Sequence, residues 1–130
     1  MVLIGALIVQ YVLGMYVNLF VSFPQNAIQR QLWEFAWSQP SVAAHIILAI
    51  LILLGAIVIL VRAILSKNRT WIIATSVGLI AILAAGSSGA TFISSQGDLY
   101  SYAMSLAFLV SILSYAWGLF NSPRSENASL

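Results

Sequence analysis

The chain has 130 residues, of which 62% are hydrophobic and only 6% charged, with a net charge of +2 and no cysteine. Soluble domains carry about 25% charged residues, so a water-soluble globular protein is excluded, and the lack of cysteine excludes thiol catalysis, disulfide exchange and Cys-based metal or iron–sulfur sites. The charge is too small and scattered for nucleic acid, and the length suits one membrane domain, 1–130, with no room for an extramembrane catalytic domain.

The first apolar run, 2–23, contains no Asp, Glu, Lys or Arg. It reaches the roughly 20 residues that a helix needs to cross a hydrocarbon core. It is too long for a signal-peptide core and lacks a basic start, so it is expected to stay as a helix. Gln10 lies near its middle and Asn18 and Gln25 at its far end.

Between this run and the next, 25–39 has a pattern of its own. Ile28, Leu32, Phe35 and Ala36 recur at helical spacing beside Trp33 and Trp37, and Asn26 with Gln29 resembles a capping box after Pro24. A short amphipathic helix lying in the membrane interface is predicted. It serves either as an anchor or as a lid over the mouth of the bundle.

The second span, 42–61, follows Pro40-Ser41, with Ser41 expected as N-cap and His45 in the first helical turn. Ala49, Ala56 and Ala63 repeat one heptad apart. The third span, 71–92, carries a stripe of small residues, Ala74, Gly78, Ala81, Ala85 and Gly89, and 84–91 is small on every side. Such a stretch leaves room for a bend, a cavity or a bulky neighbour. The fourth span, 99–120, carries Ala107, Ser111, Ser114 and Gly118, and a polar tail fills 121–130. Lipid tails are as apolar as leucine, so helices in a bilayer meet through close backbone approach and interhelical hydrogen bonds. Gly78, Ala85, Gly89, Ser111, Ser114 and Gly118 are therefore expected at helix seams.

The fold expected is an all-α integral membrane protein, an antiparallel bundle of four spans with an interfacial helix between the first two. Short connections at 66–70 and 94–98 make spans two and three, and three and four, antiparallel neighbours. Arg62, Lys67, Arg69 and Arg124 stand against Arg30 alone, which places both termini in the cytoplasm by the positive-inside rule. Trp33, Trp37, Tyr100 and Tyr102 then form the outer aromatic belt, with Trp71 and Trp117 the inner one. The glycosylation sequons at Asn68 and Asn127 fall on the cytoplasmic side and are discounted. The location expected is the plasma membrane of a prokaryote.

This topology collects Glu34, His45, Gln96, Asp98 and Tyr100 at one outer polar rim, near Asn18. Intramembrane polar groups are costly and mark function by default. His45, the single histidine, is read either as a hydrogen-bonded interfacial residue reaching Ser41, Asn18 or Asp98, or as a ligand or proton-exchanging group. There is no catalytic triad, no carboxylate pair within the membrane and no phosphate loop, so no enzyme activity and no metal site are expected.

Gln10-x-x-x-Gly14 in the first span, followed by His45 opening an Ala/Leu-rich second span, resembles one four-helix half of haem A synthase and related cytochrome b-type bundles. The likeness covers two helices. It implies a shared bundle architecture and His45 as an axial haem ligand. The second haem-ligating histidine found late in such a half is missing here, and Met15 and Met104 are the conceivable soft partners. The small multidrug exporters share the length and helix count, but they depend on a Glu in the first helix where this chain has Gln10 and Asn18.

The leading expectation is a non-catalytic accessory or structural subunit of a larger membrane complex, with the lipid bilayer and other membrane subunits, or further copies of itself, as partners. The alternative is a redox module holding haem or a quinone through His45, Gln10 and Asn18. A transporter or channel ranks last, since the spans hold no charge to couple to an ion gradient.

Overall fold

The computed structural model describes residues 1–24 and 26–121. Gln25, the tail with Arg124, and the Asn127 sequon lie outside the described residues. The described chain is helical and contains no strand: α1 Val2–Phe20, α2 Gln29–Ser38, α3 Pro40–Leu65, α4 Arg69–Ser95 and α5 Asp98–Asn121. Four of these, α1, α3, α4 and α5, are long and apolar enough to cross a membrane.

The helix ends follow from local chemistry and shift the boundaries expected from hydropathy. Helix α1 ends at Phe20, with Val21 extended; a helix continued through Pro24 would lose that residue's N–H and set its ring against the Phe20 carbonyl. Helix α2 starts at Gln29, where Gln31 Oε1 accepts from the Ile28 amide at 3.1 Å. The capping pair is thus Ile28 and Gln31 rather than Asn26 and Gln29, and Asn26 instead takes a left-handed turn at φ 62. Gln39, extended ahead of Pro40, closes α2 and opens α3 with no loop between them. Pro40 occupies the first helical position, where its missing N–H costs nothing, so Ser41 is inside the helix and does not cap it. Asn68 caps α4 by accepting from the Trp71 amide at 3.1 Å. The α4 helix runs on to Ser95 through polar residues whose hydroxyls bond back to their own helix, as Thr91 does to the Ser87 carbonyl and Ser95 to that of Thr91.

Neighbour relations make a ring: α1 packs on α3 and α5, and α4 packs on α3 and α5, while α2 lies across α3 and α4 at one end. The α4–α5 seam is the most extensive. The bare backbone of Gly118 lies against Trp71 and Ala74, that of Gly78 against the Tyr115 ring, and that of Gly89 against the Met104 thioether. Ser114 Oγ crosses the seam to donate to the Ala74 carbonyl at 2.7 Å. Ser111 is fully buried and donates to the Phe108 carbonyl of its own helix, and Ala85 is buried in the same core. The small residues on α4 and α5 are thus used as close-approach points between the two helices.

Helix α2 buries Leu32 and Ala36 in a cluster with Val17, Val42 and Ile93, while Ile28 and Trp37 stay exposed. Elsewhere the outer faces are apolar: Val12, Leu51, Val58, Ile80 and Leu113 are each more than half exposed. A helix that is apolar on every side is compatible with a bilayer or with a large protein core.

A methyl group added at Gly118 would collide with both Trp71 and Ala74, whereas one added at Gly5 would meet nothing within 4 Å. Gly118→Ala is therefore expected to lower stability by about 1–3 kcal/mol in a detergent unfolding titration followed by circular dichroism. Gly5→Ala is expected to be neutral or slightly stabilising through helix propensity. Equal effects at the two positions would contradict the seam.

Candidate ligand-binding cavity

On α1, Gln10, Gly14 and Asn18 are four residues apart and so share one face. That face meets His45, six residues into α3. A Cβ at Gly14 would stand 2.9 Å from His45 Cε1 and 3.6 Å from each ring nitrogen, so the imidazole edge rests directly on the bare α1 backbone. Gln10, fully buried, reaches the same residue: its Nε2 donates to the His45 carbonyl at 2.8 Å and lies 3.4 Å from His45 Nε2.

This arrangement fixes the amide orientation. A backbone carbonyl can only accept, so the Gln10 nitrogen must face it. In the tautomer with the ring proton on Nδ1, His45 Nε2 accepts the second amide hydrogen across 3.4 Å, and this tautomer is assigned from that pairing. Gln10 Oε1 and His45 Nδ1 are both buried without a hydrogen-bond partner. Buried polar groups are normally paired, so an unused acceptor and an unused donor on two bonded residues are an unusual pairing. A third orphan, the Tyr115 hydroxyl, belongs to the α4–α5 seam.

Beside these groups lies a cavity of about 470 Å³. Helix α1 contributes Gln10, Gly14 and Asn18, α3 contributes His45 and Ala49, and α5 contributes Ser101, Met104 and Phe108. Its α4 wall is the small-residue stretch, with Gly86, Ser87, Gly89 and Ala90, and nothing lies within 4 Å of where a Gly86 Cβ would be. Phe23 and Trp33, from either side of the turn that leads into α2, close one end. Among the described residues, none that lines it is an Asp, Glu, Lys or Arg. A crevice of about 10 Å³, bounded by Gln10, Asn18, His45, Ser101 and Ser105, lies between α1 and α5; this is about the room of one water molecule. Asn18 Oδ1 accepts from Ser101 Oγ there at 2.9 Å, tying α1 to α5.

The sequence-predicted site residues therefore divide. Gln10, His45 and Asn18 come together on the cavity wall. Glu34 instead pairs with Arg30 one turn earlier on the exposed side of α2, at 2.8 Å. Gln96 forms the left-handed C-cap of α4 and donates to the Phe92 and Ile93 carbonyls. Asp98 begins α5, where a carboxylate suits the positive end of the helix dipole, and Tyr100 packs beside Gly97. None of these four lines the cavity. His45 makes no bond to Ser41, Asn18 or Asp98. Among the described residues no cluster of His, Asp and Glu could hold a metal ion.

Some participants carried only weak sequence signals. Ser101 reads as one more interfacial serine, and Phe23 and Trp33 read as belt aromatics. Gly14 was visible, four residues after Gln10, but nothing in the sequence tells which residue will cover a glycine. Comparison with protein-family models, curated proteins and solved structures finds no match to this chain.

Gly14→Ala is expected to cost about 1–3 kcal/mol by displacing the imidazole. In a His45→Ala background the same change is expected to cost less than half as much. A double-mutant cycle in detergent checks this, and identical costs in both backgrounds would contradict the contact.

Proposed function

We propose that this chain is a multi-pass membrane protein that holds one small, largely apolar molecule in the cavity between its spans without transforming it. The carrying observation is the cavity itself, about 470 Å³ and walled by apolar side chains with a few convergent polar groups. Ligand sites occupy roughly 300–1,000 Å³ and have that same composition. The absence of charge from its lining supports binding over acid–base chemistry.

In this reading the spans cross the bilayer antiparallel, with α2 in the outer interface and both termini in the cytoplasm, as the Lys and Arg distribution favours. A prokaryotic plasma membrane suits that arrangement. A bundle that carries a molecule, with no catalytic set evident among its described residues, also suits an accessory subunit of a larger membrane complex, holding the molecule for a partner.

An organic ligand such as a quinone fits better than haem. The His45 ring edge is turned onto α1, with Cε1 over Gly14 and Nε2 beside the Gln10 amide. Axial ligation would need that nitrogen free and facing the cavity. The residues present do not fit a haem.

Purification from the native membrane, followed by solvent extraction and mass spectrometry, tests the proposal. About one apolar molecule per chain is expected with the wild type, and its loss is expected with Ala49→Phe, which fills the cavity from α3. Equal recovery from a folded variant would overturn it.

A further inference from the structure

The chemistry of the small crevice restricts what the cavity accepts. Gln10 is fully buried, and its Oε1 has no partner. His45 Nδ1, on the residue to which the Gln10 amide is bonded, is likewise unpaired. Both residues border the large apolar cavity and also the crevice of about 10 Å³. With the Gln10 nitrogen committed to the His45 carbonyl and His45 in its Nδ1–H tautomer, one free acceptor and one free donor remain on these two residues.

We propose that the cavity selects a neutral apolar molecule bearing a single hydroxyl, and that this hydroxyl seats at the crevice between Gln10 and His45. The proposal rests on the reading of the cavity as a binding site. A hydroxyl both donates and accepts, so it satisfies Gln10 Oε1 and His45 Nδ1 together. A carbonyl head only accepts and leaves Gln10 Oε1 buried and unpaired, which is penalised. A carboxylate or phosphate brings a charge into a lining that contains no Lys or Arg, and the crevice has room for one small group only. The apolar remainder of the molecule lies along Ala49, Gly86 and Met104. Ile50 and Leu83, which flank this region on α3 and α4, are about half exposed, so the cavity adjoins the apolar exterior from which such a molecule would come.

Retinol, retinal and retinoate share one apolar skeleton and differ only in the head, so they separate these cases. Binding of each to the purified full chain in nanodiscs is measured by fluorescence quenching and competition at mildly alkaline pH. Retinol is expected to bind about threefold to tenfold more tightly than retinal, the worth of one hydrogen bond to a buried acceptor. Retinoate is expected to bind more than about tenfold more weakly than retinol. Gln10→Leu is expected to bring retinol and retinal within about twofold of each other while both still bind. Equal affinity of all three for the wild type, or a retinol preference that survives in Gln10→Leu, overturns the hydroxyl assignment and leaves the cavity reading standing. No saturable binding of any of the three overturns both. The wild-type ranking decides the matter even if Gln10→Leu fails to fold.

Discussion

The contact between Gly14 and His45 is the constraint on which the arrangement of the bundle depends. Helix α1 has no short connection to a neighbouring span, because α2 intervenes, and its place is set by side-chain contact with α3 and α5. At Gly14 the absence of a Cβ lets an imidazole lie on the backbone, and one turn earlier Gln10 bonds to the backbone of the same histidine. On the other side Asn18 takes the Ser101 hydroxyl. These three points on one stripe hold α1 to two helices at once. Interhelical hydrogen bonds in a membrane are worth only about 0.6 kcal/mol on average, so close packing at Gly14 and specific polar contacts must act together.

The cavity follows from how the other helices diverge. At the Trp71–Gly78 end, α4 and α5 approach until a ring lies on each glycine, at Gly78 and Gly118. Toward Gly86–Ala90 the same helix still offers small residues, but nothing approaches Gly86 and only the flexible Met104 side chain touches Gly89. One run of small residues is thus used in two ways: filled by aromatic rings in one half and left as open wall in the other. Close contact and open wall therefore sit on different halves of α4.

The four spans were legible because hydropathy reports directly on lipid-compatible length, and all four appear as helices within a few residues of expectation. The ends were less legible. Ser94 and Ser95 look like loop residues in composition, yet their hydroxyls bond back to the helix and prolong α4. Pro40 looks like a boundary and is instead the first residue inside α3. Of the candidate site, Gln10, His45 and Asn18 were found as rare polar groups in apolar runs, and the stretch 84–91 was recognised as room for a cavity. Glu34, Gln96, Asp98 and Tyr100 share their depth along the spans, which is what a one-dimensional pattern encodes. Depth does not give azimuth: Arg30, four residues before Glu34, draws that carboxylate outward, and the Gln96 side chain folds onto its own helix. Which residue covers Gly14 depends on the rotation of α3 about its axis, and no local pattern encodes that.

The central claim is that the His45 ring lies on the backbone of Gly14, joining α1 to α3 beside the cavity. Proton NMR of specifically labelled protein in lipid nanodiscs tests it directly. A strong cross-peak between a Gly14 α proton and the His45 Hε1 proton, with the Gly14 resonance displaced by the ring current, is the result this account predicts. A well-resolved spectrum in which both signals are assigned and no cross-peak joins them would contradict it.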